Sequence, residues 1–152
     1  MCARGVGAPA AAADAGPGVA AMEDYFASSR RHLDDANSLR NSNRWENADH
    51  LAGLSAECSL KHLLLRAFGA RPGEGALRLH ADKLWPAARL HVKGRQGGRL
   101  LRLLVNNPFG DWSVEQRYMT DGHVGPAQVV RHLQAADQMH KLLGTYLRTG
   151  QL

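Results

Sequence analysis

One stretch of the chain, Asn47-Ala-Asp-His-Leu-Ala-Gly-Leu-Ser-Ala-Glu-Cys-Ser-Leu-Lys61, sets a histidine, a glutamate and a lysine into a run of Ala and Leu. At about 100° per residue, His50, Glu57 and Lys61 fall within about 40° of one another on a helix, with Leu54 near the same line. An imidazole placed there can serve as a general base or acid near neutral pH. Charged groups are costly to bury unless paired, so this row has either a structural or a catalytic reason to exist. Glu57 and Lys61, four residues apart, read as an ion pair at the edge of the core or in a dimer seam. His50 reads as a partly buried histidine that is either satisfied or active. Asp49 points about 100° away from it and is free to cap or pair elsewhere.

Eight histidines also raise metal chemistry. His132 and His140 lie about 80° apart on a helix, and no His-x-x-x-His pair is present. Zinc sites need convergent ligands at short spacing, so no metal is expected. The glycines from Gly94 to Gly98 lack the Lys-Ser/Thr ending and preceding strand of a phosphate loop, so no cofactor is expected either.

The elements that carry these residues are helical throughout. A first helix spans roughly 22–40, with Met22, Phe26, Leu33 and Ala36 on one side. A second opens near Arg44 and reaches Ala67, with Gly69 as its stop. Arg71-Pro-Gly-Glu-Gly75 is a turn. A third helix starts around His80 with Leu84, Trp85, Ala88 and Leu90; Pro86 belongs only near its first turn, or must kink it. A short helix spans 99–105. Asn106 to Ser113 is a loop whose Phe109 and Trp112 predict that it packs down. The last helix runs from Pro126, a favourable first-turn residue, to Leu147, with a stripe of Val129, Val130, Leu133, Ala136, Leu143 and Tyr146. No alternating strand pattern occurs. The fold class is all-α, an up-and-down bundle of four to five helices.

A length of 152 residues fits one domain, 22–152. Residues 1–21, almost entirely Ala, Gly, Pro and Val, read as a disordered or wrongly started leader. They lack the strongly apolar run of a secretory signal. No segment approaches a membrane span. Cys2 and Cys58 form no disulfide framework, which suits a reducing cytoplasm, and Cys58, among Leu51, Leu54 and Leu65, reads as a small core hydrophobe. The net charge of +5 is uneven. Between Leu84 and Gly110 there is no acid, whereas Arg89, Lys93, Arg95, Arg99 and Arg102 fall there. That block is either a solvated helical face or a surface for an anionic partner, nucleic acid first.

With the second helix in view, the chain resembles the HEPN superfamily, the helical nucleotide- and RNA-associated domains of prokaryotes. The likeness rests on Ser55-Ala-Glu57-Cys-Ser-Leu-Lys61 after Asn47-Ala-Asp-His-Leu-Ala-Gly53, and on His80 with Leu84 opening the next helix. It covers roughly 22–147. The resemblance implies a homodimer that handles RNA or a nucleotide, often in toxin–antitoxin or defence systems, and sometimes with an antitoxin or nucleotidyltransferase partner. It also implies a metal-independent endoribonuclease whose signature is an Arg and a His with four to six residues between them near the start of the last helix. Arg117-Tyr-Met-Thr-Asp-Gly-His123 stands in that region. Arg would hold the scissile phosphate, and His would serve as base or acid. Departures are Tyr118 after the Arg, and Gly122 and Pro126, which make the segment loop-like. His50, Glu57 and Lys61 would line the same pocket. The residues also admit a non-catalytic helical dimerisation or partner-binding module. In that case Arg117 would bridge to Asp111, Glu115 or Asp121 and pin the Trp112 loop.

Overall fold

The structure is a computed structural model and describes residues 23–152; the leader reading for 1–21 and the core assignment of Met22 lie outside the described residues. Five helices follow in order: α1 (Tyr25–Asn41), α2 (Trp45–Ala67), α3 (Ala81–Val92), α4 (Gly98–Leu104) and α5 (Pro126–Thr149), with single 3-10 turns at Gly75–Arg78 and Val114–Tyr118. The described residues contain no strand, and none of their helices is long and apolar enough to cross a membrane.

Local signals set the helix ends. Asp24 caps α1, its side chain accepting from the Ala27 N–H at 2.9 Å. Gly69 adopts a left-handed φ of 68° after α2, and Ala70 N–H then reaches back to Leu64 O at 2.9 Å. Gly150 ends α5 in the same way, with φ 69°.

Pro86 lies inside α3 rather than in its first turn. A proline there cannot donate to the carbonyl four residues back, which belongs to Asp82. The Asn107 side chain donates to that carbonyl at 2.8 Å. An amide from the following loop thus supplies the bond that the helix lacks.

Helix α2 is the centre of the molecule, its buried residues lying all around the wheel from Ala48 to Leu64. Helix α1 packs on it as an antiparallel hairpin arm. On α5, His132 meets Asp49 near the start of α2 while Tyr146 OH donates to Arg66 O near its end, so α5 runs parallel to α2. On α3, His80 meets Glu57 and His91 meets the Phe68 carbonyl, so α3 follows the same sense. Up-and-down alternation therefore holds for α1 and α2 and fails between α2 and α3, where the long connection returns the chain.

The loop from Asn106 to Ser113 packs down as its aromatics predict, with Phe109 and Trp112 buried. Val130 is a correction to the predicted α5 stripe: it is exposed, and His132, Met139 and Leu142 take up the buried face instead. Cys58 is half-buried, and burial pushes its thiol up to about 11, out of the range of a reactive thiolate.

Candidate active site

A row of polar side chains crosses the core from α2 to the surface of α5. Asp49 and His132 are both fully buried. Asp49 Oδ1 lies 2.7 Å from His132 Nδ1, and Asp111 Oδ1 lies 2.9 Å from His132 Nε2. Asp111 Oδ2 is bridged by Arg131. Gln116 Nε2 donates to Asp49 Oδ2 at 2.8 Å, and Trp112 Nε1 donates to the Asp49 carbonyl at 3.0 Å. Burial raises the Asp111 carboxyl, but hydrogen bonds from Arg131 and His132, with their charges, outweigh it and hold the group below its ordinary value. Every buried polar atom in the row has a partner, the condition under which such a network fixes one arrangement.

The row locks the loop before α5 against α2. Trp112 lies flat on the helix because position 53 has no side chain: a Cβ there would come within 2.1 Å of the indole. Ser113 caps the following 3-10 turn, accepting from Glu115 N–H at 3.1 Å, with Gln116 closing the box from the other side. The residues next in sequence to the bonded pair Asp49 and Gln116 are His50 and Arg117.

His50 is half-buried and stacks on Trp112, ring centroids 5.8 Å apart and planes 11° from parallel. Its Nδ1 is sealed from solvent without a hydrogen-bond partner, leaving Nε2 as the open ring nitrogen. Burial first, and the nearby Arg117 charge second, lower its pKa below the ordinary 6.5. The imidazole is thus neutral at physiological pH, with a lone pair to offer. Arg117 is exposed, rests over the Tyr118 ring at 4.8 Å, and makes no salt bridge among the described residues. The bridge expected from Arg117 to Asp111, Glu115 or Asp121 is not formed; Arg131 and His132 hold Asp111 instead.

The other expected members make different contacts. His123 is exposed in a turn where its backbone N–H bonds Thr120 O at 3.3 Å, and its side chain has no hydrogen bond to Arg117. Gly122, with φ 83°, shapes that turn, and its N–H is held by the Glu46 carboxylate at 2.5 Å. Glu57 and Lys61 form a buried ion pair at 2.7 Å, and His80 Nδ1 adds a second contact to Glu57 at 3.1 Å. Lys61 also lies 5.9 Å from the Tyr25 ring centroid. Burial, reinforced by the hydrogen bond to Glu23, pushes Tyr25 up to about 12. This second cluster borders a cleft of about 810 Å³ whose lining includes Tyr25, His62, Arg66 and Arg78. Of the predicted line, Glu57 and Lys61 pair with each other, while His50 stacks on Trp112 within electrostatic reach of both Arg117 and Glu57.

Sequence reasoning missed His132, Gln116 and Asp111 as a set. The available signal was that Asp49 sits between Ala48 and Ala52, and His132 beside Val129 and Leu133, on the apolar stripes of their helices. A polar residue on a buried stripe requires a partner, and each is the other's.

Comparison of the chain with protein-family models, curated proteins and solved structures finds no match.

Proposed function

We propose that the chain is a HEPN-like RNA-associated protein that cleaves RNA without a metal, with His50 as general base and Arg117 as phosphate clamp. The observation that carries this reading is the pairing of a neutral, half-buried imidazole with an unbridged guanidinium on two segments fixed by the Asp49–Gln116 bond. His50 Nε2 takes the proton of a ribose 2′-hydroxyl, and the oxygen attacks the adjacent phosphorus. The 5′ oxygen leaves with a proton from water, giving a 2′,3′-cyclic phosphate and a 5′-hydroxyl. Arg117 donates to the phosphate oxygens as charge builds on them. His123, expected in the base role from the resemblance, is replaced by His50.

The test is cleavage of total RNA in the presence of chelator. His50→Ala and Arg117→Ala are expected to lower the rate by about 10²–10⁴-fold, and His123→Ala to leave it unchanged. Equal cleavage by all four proteins, or none by any, rejects the assignment.

A second reading is a non-catalytic dimerisation or partner-binding module, the partner being an antitoxin or nucleotidyltransferase. It is favoured by Tyr118 and Met119, large apolar residues 75% and 54% exposed immediately after Arg117. Under it, Tyr118→Ser with Met119→Ser abolishes association while the chain lacks ribonuclease activity.

A further inference from the structure

The acid-free block of the sequence divides in two in the folded chain. Arg89 donates to Val105 O at 3.2 Å and Arg95 to Phe68 O at 2.6 Å, so both tie loop backbone to α3 and the end of α2. Arg99 and Arg102, one turn apart on α4, make no ion pair among the described residues and are exposed. They face α5 across a trough made of two adjoining cavities of about 300 and 390 Å³, which share Arg102, Leu103 and Gln138. From α5 the trough receives Arg131, Gln134, Gln138 and Lys141, and no Asp or Glu lines either cavity. Arg131 is held by Asp111, and Lys141 pairs with the neighbouring Asp137 at 2.7 Å. The uncommitted charge in the trough therefore belongs to Arg99 and Arg102.

We infer that this α4–α5 trough binds the phosphate backbone of single-stranded RNA, with Arg99 and Arg102 as the principal phosphate contacts. The inference rests on the RNA reading above and adds a binding surface to it. The trough follows α5 from Arg131 to Thr145, about 21 Å at 1.5 Å per residue, which is long enough for several successive phosphates. Its side chains offer mainly donors: guanidinium forks, an ammonium and glutamine amides that match phosphate oxygens. Cavities of a few hundred Å³ are in the small-ligand range, a size that admits individual nucleotide units. One end of the trough is Arg131, whose partner Asp111 is the outer member of the buried row that ends at Asp49, beside His50.

The experiment is fluorescence anisotropy of a labelled 2′-O-methyl oligouridine, which lacks the attacking hydroxyl, so binding is measured apart from cleavage. The full chain and its Arg99→Gln/Arg102→Gln, Arg99→Lys/Arg102→Lys and Arg89→Gln variants are titrated across salt concentrations. The glutamine pair is expected to weaken binding and flatten the log K against log salt slope by about 1.4, two contacts at about 0.7 each. The lysine pair keeps most of the salt slope, and Arg89→Gln, whose guanidinium is held by Val105 O outside the trough, binds nearly as the parent does. Circular dichroism confirms that these surface variants fold. Unchanged binding in the glutamine pair overturns the trough and leaves the cleavage reading standing. Binding in the parent without any cleavage rejects the cleavage reading and leaves the trough. No binding by the parent at low salt, or equal competition by polyglutamate at matched ionic strength, overturns the RNA assignment.

Discussion

Gln116 Nε2 donates to Asp49 Oδ2 at 2.8 Å inside the core, across 67 residues of sequence. This bond holds the Val114–Tyr118 turn to α2, and so keeps the Arg117 charge within electrostatic reach of His50. His132 completes the Asp49 carboxylate from α5. Removing one partner of such a buried set leaves another polar group unsatisfied. Asp49→Ala is expected to cost about 3–5 kcal/mol of stability, as for a broken buried pair. Gln116→Ala is expected to cost about 1–3 kcal/mol. Urea unfolding measures both. An Asp49→Ala protein as stable as the parent would show that the row carries no structural load.

The approach of Trp112 to Gly53 gives a steric prediction. A Cβ at position 53 would overlap the indole at Cε2, Nε1 and Cζ2, at 2.1, 2.3 and 2.5 Å, and the buried Trp112 ring has no solvent-side space to move into. Gly53→Ala gains helix propensity of about 1 kcal/mol, but overpacking here should outweigh it and give a net loss of about 1–3 kcal/mol. Trimming the ring with Trp112→Leu in the same chain should abolish the steric part. A double-mutant cycle by thermal unfolding checks this, and additive effects would exclude the clash.

Acid should destabilise the fold from neutral pH downward. His32, His50, His62 and His140 all titrate below the ordinary 6.5, burial being the largest cause in each case. The unfolded chain therefore binds more protons than the folded one as pH falls through 6.5. The stabilising effect of keeping these rings neutral is complete above that value and is lost below it. Asp111, also lowered, adds stability above its ordinary 3.8 that disappears at still lower pH. The urea midpoint should fall steadily between pH 7.5 and 5. A midpoint that holds or rises over that range contradicts these shifts. In the proposed reaction the same lowering of His50 puts the acid limb of the rate profile below pH 6.5.

Helix positions were legible because they follow from short-range signals. The apolar period of α2, Gly69 at its end and Pro126 at the start of α5 each act within one turn. The place of Pro86 was not, because its missing N–H is compensated by Asn107, 21 positions away, and no local rule predicts that rescue. Strict alternation of helix direction failed for the same reason: the direction of α5 is set by long-range pairs such as Asp49 with His132 and Arg66 with Tyr146. At the site, the periodicity placed His50, Glu57 and Lys61 on one line, but only Glu57 and Lys61 find polar partners, whereas His50 stacks on Trp112. What separates them is the Trp112 loop, which covers His50 and leaves Glu57 to Lys61 and His80.

Glu57 and Lys61 are therefore predicted to be structural. Both are buried, and each is the other's nearest charge. Lys61→Met alone strands the Glu57 carboxylate with only the half-exposed His80 as partner, and the expected cost is about 3–5 kcal/mol. Glu57→Met with Lys61→Met removes both charges together and fills the space with apolar side chains, so it should unfold close to the parent or later. That double variant also separates structure from catalysis. If the pair only supports the fold, a folded double variant cleaves RNA at the parental rate, whereas His50→Ala at equal stability does not. A folded double variant with its cleavage lost would return Glu57 and Lys61 to the reacting site.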